Sequence, residues 1–98
     1  MNFKHINYVL TVLTEGSITA ASKKLFVSQP ALSQTIKLIE QDLGAPIFDR
    51  STDPISLTYA GQRYVEAAQA MLDILQGVDN ASLQGTEPSI LVAEDLAP

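Results

Sequence analysis

The sequence contains no cysteine and no tryptophan, and His5 is its only histidine. Without thiols there are no disulfides, no thiolate metal sites and no cysteine nucleophile. A single imidazole gives little support to a zinc site or a His-dependent triad. Long hydrophobic runs are missing as well: the longest, such as Ile90 to Ala93, falls far short of the roughly 20 residues a membrane-spanning helix needs. The chain opens Met-Asn-Phe-Lys-His with no apolar segment behind it, so no signal peptide and a soluble, cytoplasmic domain are expected. Positive charge is scarce, with six Lys and Arg against eleven Asp and Glu and a formal net charge of −5. What is present, in 98 residues, is 46% apolar and 17% charged, the profile of a folded domain rather than a disordered polyampholyte. A chain of this length buries only about 60–65% of its unfolded surface, enough for a modest core but not for a large enclosed pocket.

An acidic total, taken alone, argues against a nucleic-acid partner. The distribution reverses that inference. Residues 1–65 carry all six bases (Lys4, Lys23, Lys24, Lys37, Arg50, Arg63) and five acids, a balance of +1, whereas residues 66–98 carry six acids and no base, a balance of −6. The acidity thus belongs to the last third of the chain.

Helix is the dominant period. Asn2 is a plausible N-cap ahead of Phe3, Ile6, Val9, Leu10 and Leu13 on one face, and Gly16 stands where that helix should stop. Ser17 caps a short second helix with Ile18, Ala21 and Leu25 inward. Phe26 and Val27 make a tight connection to Ser28, the cap of a third helix with Pro30 in its first turn, where a missing N–H costs nothing. Leu32, Thr35, Ile36, Ile39 and Leu43 form its inner stripe, and Gly44 ends it. From Pro46 the pattern becomes two short strands, Ile47-Phe48 and Ile55 to Thr58, around a polar turn containing Pro54. Thr58 then caps a long helix, although Gly61 weakens helix propensity in its first turn. Tyr64, Ala68, Met71, Leu75 and Val78 follow at spacings of 4, 3, 4 and 3, a heptad seam. A helix from 59 to about 83 is roughly 37 Å long, too long for a 58-residue body to cover, so this seam is expected to meet a partner. Gly85-Thr86-Glu87-Pro88 ends it.

Two short helices and a Ser-capped third, joined by a tight turn, are the layout of a helix-turn-helix at about 18–37, with the strand pair at about 47–58 as a wing. Close crossing of the second and third helices needs small residues, which Ala20, Ala21 and Ser22 supply. A groove-reading helix needs hydrogen-bonding side chains without bulk or negative charge. Ser28, Gln29, Ser33, Gln34 and Lys37 meet that demand, and no acid occurs between Glu15 and Glu40. Gln pairs bidentately with adenine, Ser bonds a base or a phosphate, and Lys37 suits a phosphate. Ser17 and Thr19, at the start of the second helix, are caps first and phosphate contacts second. Arg50 and Ser51 in the wing fall beside the backbone or minor groove. A polar helix face alone is ordinary solvated surface. The conjunction of an acid-free face, small crossing residues, a wing and a dimer-type helix is what points to double-stranded DNA.

These residues resemble the N-terminal domain of LysR-type transcriptional regulators. The similarity is carried by Glu15-Gly16-Ser17-Ile18-Thr19-Ala20-Ala21, by Ser28-Gln29-Pro30-Ala31-Leu32-Ser33 with Ile36 and Glu40, by Leu43-Gly44, by Phe48-Asp49-Arg50-Ser51 and by Leu57-Thr58-Tyr59-Ala60-Gly61. It covers about 1–84 without a gap. The resemblance implies a mainly α fold: a winged helix-turn-helix of three helices plus a β-hairpin wing over 1–58, then a linker and dimerisation helix over 59–84. It also implies that Gln29, Pro30, Ser33 and Gln34 face a major groove of promoter DNA, that Arg50 approaches the backbone, and that the chain works as a homodimer, a tetramer at full length. Residues 85–98 look like the first strand and turn of an effector-binding domain, so the chain is expected to be a fragment. The family often has Arg where Gln34 stands and bases where Thr52-Asp53-Pro54 stands, which implies a wing with less attraction for phosphate.

Two other function classes compete. A protein-interaction module could use the long helix and keep the winged helix as scaffold, but an acidic recognition face, which would favour it, is absent. An enzyme has the least support: there is no Gly-rich phosphate loop, no Gly-x-Ser-x-Gly elbow and no metal-ligand cluster. Glu40 and Asp42 lie within one helical turn rather than across a cleft. Neither catalytic residues, a metal nor a cofactor is expected.

Overall fold

The computed structural model describes the backbone of residues 2–84 and side chains to residue 77. Four helices and one hairpin follow in the order α1 Phe3–Glu15, α2 Ile18–Leu25, α3 Gln29–Leu43, β1 Phe48–Asp49, β2 Ser56–Leu57 and α4 Tyr59–Gln84. The chain divides into two compact units, Met1–Ala68 and Gln69–Pro98.

Each helix starts on a side-chain cap. Asn2 accepts from the His5 amide at 2.8 Å, Ser17 from Ala20 at 3.0 Å, Ser28 from Ala31 at 3.2 Å and Thr58 from Gly61 at 2.9 Å. These bonds satisfy amides that helix geometry leaves without partners. Gly16 (φ 81°) and Gly44 (φ 83°) close α1 and α3 in the left-handed conformation. At the end of α2 a non-glycine residue does so: Phe26 sits at φ 58° and is almost fully exposed.

The first unit is organised around one core. Val9 and Val12 of α1, Ala21 of α2, Leu32, Ile36 and Ile39 of α3, Ile47 and Phe48 at β1, and Tyr64 of α4 pack together. The inner stripe of α1 runs through Ile6, Val9 and Val12, with Leu13 only half-buried and Phe3 exposed. A 3.6-residue period drifts, so the buried line passes to one side of the outermost apolar positions. Leu43, at the end of the α3 stripe, is likewise largely exposed. Small residues let α2 approach its neighbours: Ala21 is fully buried, and the buried Ser22 hydroxyl donates to the Thr19 carbonyl at 2.8 Å.

The hairpin is short, antiparallel and set by Phe48 opposite Leu57 and Asp49 opposite Ser56. Its turn docks on the end of α1, where the Ile55 amide donates to the Gly16 carbonyl at 2.9 Å. The first strand starts one residue later than expected and runs onto Asp49, while the second sits one residue inside its expected bounds at each end. Ile47 is buried in the core rather than paired in the ladder.

The heptad seam needs correction. Tyr64 is 6% exposed and Ala68 fully buried within the first unit, so both are occupied by this chain's own core and are not available to a partner. Burial pushes the Tyr64 phenol above its ordinary pKa, and its hydroxyl has no hydrogen-bond partner among the described residues. In the second unit the pattern is the reverse: Met71 and Leu75 are each 41% exposed and Ile74 66%. Heptad spacing marks an apolar stripe without saying whose core it joins. The side chain of Val78, and the tail at 85–98, lie outside the described residues.

Candidate nucleic-acid interface

The third helix presents its polar residues in the order its caps and core contacts impose. With Leu32, Ile36 and Ile39 turned into the core, positions 30, 33, 34, 37 and 40 fall on the other side. Pro30, Ser33, Gln34, Lys37 and Glu40 line a concavity of about 310 Å3, and Arg50, just past β1, closes it from the wing. Five residues expected at the interface (Pro30, Ser33, Gln34, Lys37 and Arg50) therefore share one surface. Ser28 and Gln29 are exposed at the start of the same helix.

The others lie outside that concavity. Ser17 is half-buried, its hydroxyl taken by the cap of α2, while Thr19 is exposed in the first turn of that helix. Ser51 is exposed at the tip of the wing, where its amide and hydroxyl both donate to Asp49, at 3.0 and 2.5 Å. These two bonds hold the Asp49 carboxyl below the usual carboxylate range. The wing turn thus carries a fixed negative charge, and the Ser51 hydroxyl is already engaged.

One groove residue was not picked out by its chemistry in the sequence. Glu40 is half-buried; one of its carboxylate oxygens accepts from the Ile47 amide at 2.8 Å and the Phe48 amide at 3.5 Å, and the other lies 3.9 Å from the Arg50 guanidinium. Its signal was periodic: 33, 37 and 40 share one face of a helix at i, i+4 and i+7. What the surface offers is a row of neutral hydrogen-bonding side chains flanked by two cations, with its one acid held by backbone amides. That combination suits base edges and phosphates together. Among the described residues no group of three or more His, Cys, Asp or Glu is placed to hold a metal ion.

Residues 3–62 match the family model described as bacterial regulatory helix-turn-helix protein, lysR family. The regulator ClcR of Pseudomonas putida is 37% identical over 76 residues, covering 78% of this chain and 26% of ClcR. MetR of Haemophilus influenzae is 36% identical over 72 residues, covering 74% and 23%. The chain thus spans about a quarter of the length of these relatives. Among solved structures, the complex of the BenM DBD with catB site 1 DNA superimposes with a TM-score of 0.74 at 28% identity, covering 86% of this chain and 90% of that one. Full-length LysG from Corynebacterium glutamicum gives 0.72 at 36% identity, covering 87% and 29%. With the family model matching well over half of the chain, the chain belongs to the LysR family of bacterial helix-turn-helix regulators.

Proposed function

We propose that this chain binds double-stranded promoter DNA sequence-specifically as a homodimer, as the DNA-binding part of a bacterial transcriptional regulator. The observation that carries the reading is the single surface formed by Pro30, Ser33, Gln34 and Lys37 with Arg50 across from them. Gln29 and Gln34 read base edges, Ser28 and Ser33 bond bases or phosphates, and Lys37 and Arg50 neutralise phosphates. Thr19 and Ser17 meet a phosphate at the start of α2, and Ser51 touches the backbone from the wing. DNA complexes among the structural relatives support this use of the fold. A protein-interaction module without DNA binding is not favoured, since it leaves the hydrogen-bonding face of α3, whose one acid is held by backbone amides, without a purpose.

Met71 and Leu75, with Val78, are assigned to dimerisation, and the exposed Ile74 joins them. Residues 59–84 act as the linker helix and 85–98 as the start of an effector-binding domain, in a full-length protein that responds to a small molecule as a tetramer. Full-length structures among the relatives support a longer parent protein. The work is binding rather than catalysis, and its place is the bacterial cytoplasm, where promoters are. No described helix is long and apolar enough to cross a membrane.

Selecting bound duplexes from a random pool tests this directly. An inverted repeat with two half-sites is expected, and recovery of unrelated sequences at every salt concentration would refute specific recognition. On the selected duplex, Gln29→Ala is expected to cost about 1–3 kcal/mol and to relax preference at one base pair, measured by fluorescence anisotropy against single-base variants. Lys37→Ala is expected to weaken selected and scrambled duplexes alike and to reduce the slope of log K against log salt by about 0.9.

A further inference from the structure

We propose that Glu40 is a positioning residue for DNA recognition, joining the reading helix to the wing so that Arg50 and the polar face of α3 meet DNA in one register. This inference rests on the DNA-binding reading above. Glu40 is the one acid lining the groove, where a free carboxylate would repel phosphates. Its bonds explain why it is there. One oxygen takes the Ile47 amide at 2.8 Å and approaches the Phe48 amide at 3.5 Å, across the connection between α3 and β1. The other oxygen lies 3.9 Å from the Arg50 guanidinium, which is about half exposed and has slack to move.

The backbone of the same residue acts in the same direction. Its carbonyl accepts from the Gly44 and Ala45 amides, at 2.9 and 3.2 Å, closing α3 just before the chain turns toward the wing. The two-residue strands of the wing offer little stiffness of their own. The carboxylate of Glu40 therefore sets how far β1, and with it Arg50, stands from Ser33, Gln34 and Lys37. The ion pair is long and solvated, so it steers Arg50 and adds little to stability. When DNA is bound, a phosphate oxygen can replace the carboxylate as partner of the guanidinium at small cost.

The two jobs separate by substitution. Glu40→Gln keeps an oxygen for the Ile47 amide but loses the charge that steers Arg50. Glu40→Ala loses both. The measurements are the affinity ratio between the selected inverted-repeat duplex and a scrambled duplex of equal composition, and hydrogen exchange of the Ile47 and Phe48 amides without DNA.

Glu40→Gln is expected to lower the ratio about tenfold, within the range one groove contact supplies, by strengthening scrambled binding as well as weakening selected binding. Its amide exchange should stay at the wild-type rate. Glu40→Ala is expected to lower the ratio further and to speed exchange at both amides. Arg50→Ala should cost less selectivity when combined with Glu40→Gln than in the wild type, because the charge that steers Arg50 is already gone in the double variant.

A Glu40→Gln protein with wild-type selectivity overturns the proposal, as does a Glu40→Ala protein with wild-type exchange. A wild-type chain that does not distinguish the two duplexes removes the DNA-binding reading itself, and the exchange result then reports only on the anchor.

Discussion

Replacing Met71 and Leu75 together by aspartate is expected to give a monomer where the wild-type chain sediments as a dimer. Both side chains are 41% exposed and Ile74 beside them is 66% exposed, an apolar face left largely open by the described residues. Two carboxylates at helical spacing of four would place charges in the proposed seam on both subunits, and burying unpaired charge is among the most costly changes an interface can suffer. The body should be unaffected, because neither residue belongs to its core cluster. Loss of the second half-site contact should weaken binding to an inverted repeat on the order of 100-fold, while binding to one isolated half-site changes little. With six basic residues in the whole chain, a single copy has little electrostatic affinity to draw on. A dimer that persists in sedimentation after both substitutions would remove this helix face from the account.

Gly61→Ala is expected to be the most destabilising single substitution of comparable size. A Cβ built there would run into the Ile47 carbonyl oxygen and lie 2.8 Å from its carbon, contacts against main chain that cannot rotate away. The approach is close because the Thr58 amide donates to the Ile47 carbonyl at 2.9 Å and the Thr58 hydroxyl to the Pro46 carbonyl at 2.6 Å, tying the start of α4 onto the segment that leads into β1. Relief requires α4 or β1 to shift, at a cost of about 3 kcal/mol. For a domain of this size that lowers Tm on the order of 15 °C. Gly77→Ala is the matched control: nothing lies within 4 Å of the new methyl, and helix propensity predicts a gain of up to about 1 kcal/mol. Equal melting temperatures for the two variants would contradict the close approach.

Gly61 also shows how a local reading misleads. In the sequence it weakens the first turn of a helix, and in the structure it is what lets that helix reach the chain before the wing. The elements themselves were legible because their signals are local. Asn2, Ser17, Ser28 and Thr58 each bond an amide three residues ahead, and Gly16 and Gly44 each take a left-handed turn, so the neighbouring residues suffice to find them. The polar face of α3 was legible for the same reason, since helical spacing alone gathers Ser33, Gln34 and Lys37.

What the sequence by itself determined was therefore where the helices are capped, that α3 carries no acid before Glu40, and that the net acidity lies beyond residue 65. Tertiary structure alone decided three things. It assigned Tyr64 and Ala68 to this chain's own core, left Met71, Ile74 and Leu75 exposed, and brought Glu40 to the amides of Ile47 and Phe48 and to Arg50. The physical reason is common to all three. An apolar stripe or a carboxylate states what it needs, burial or a donor, but its partner is set by how the helices pack, and packing joins residues that periodicity cannot relate.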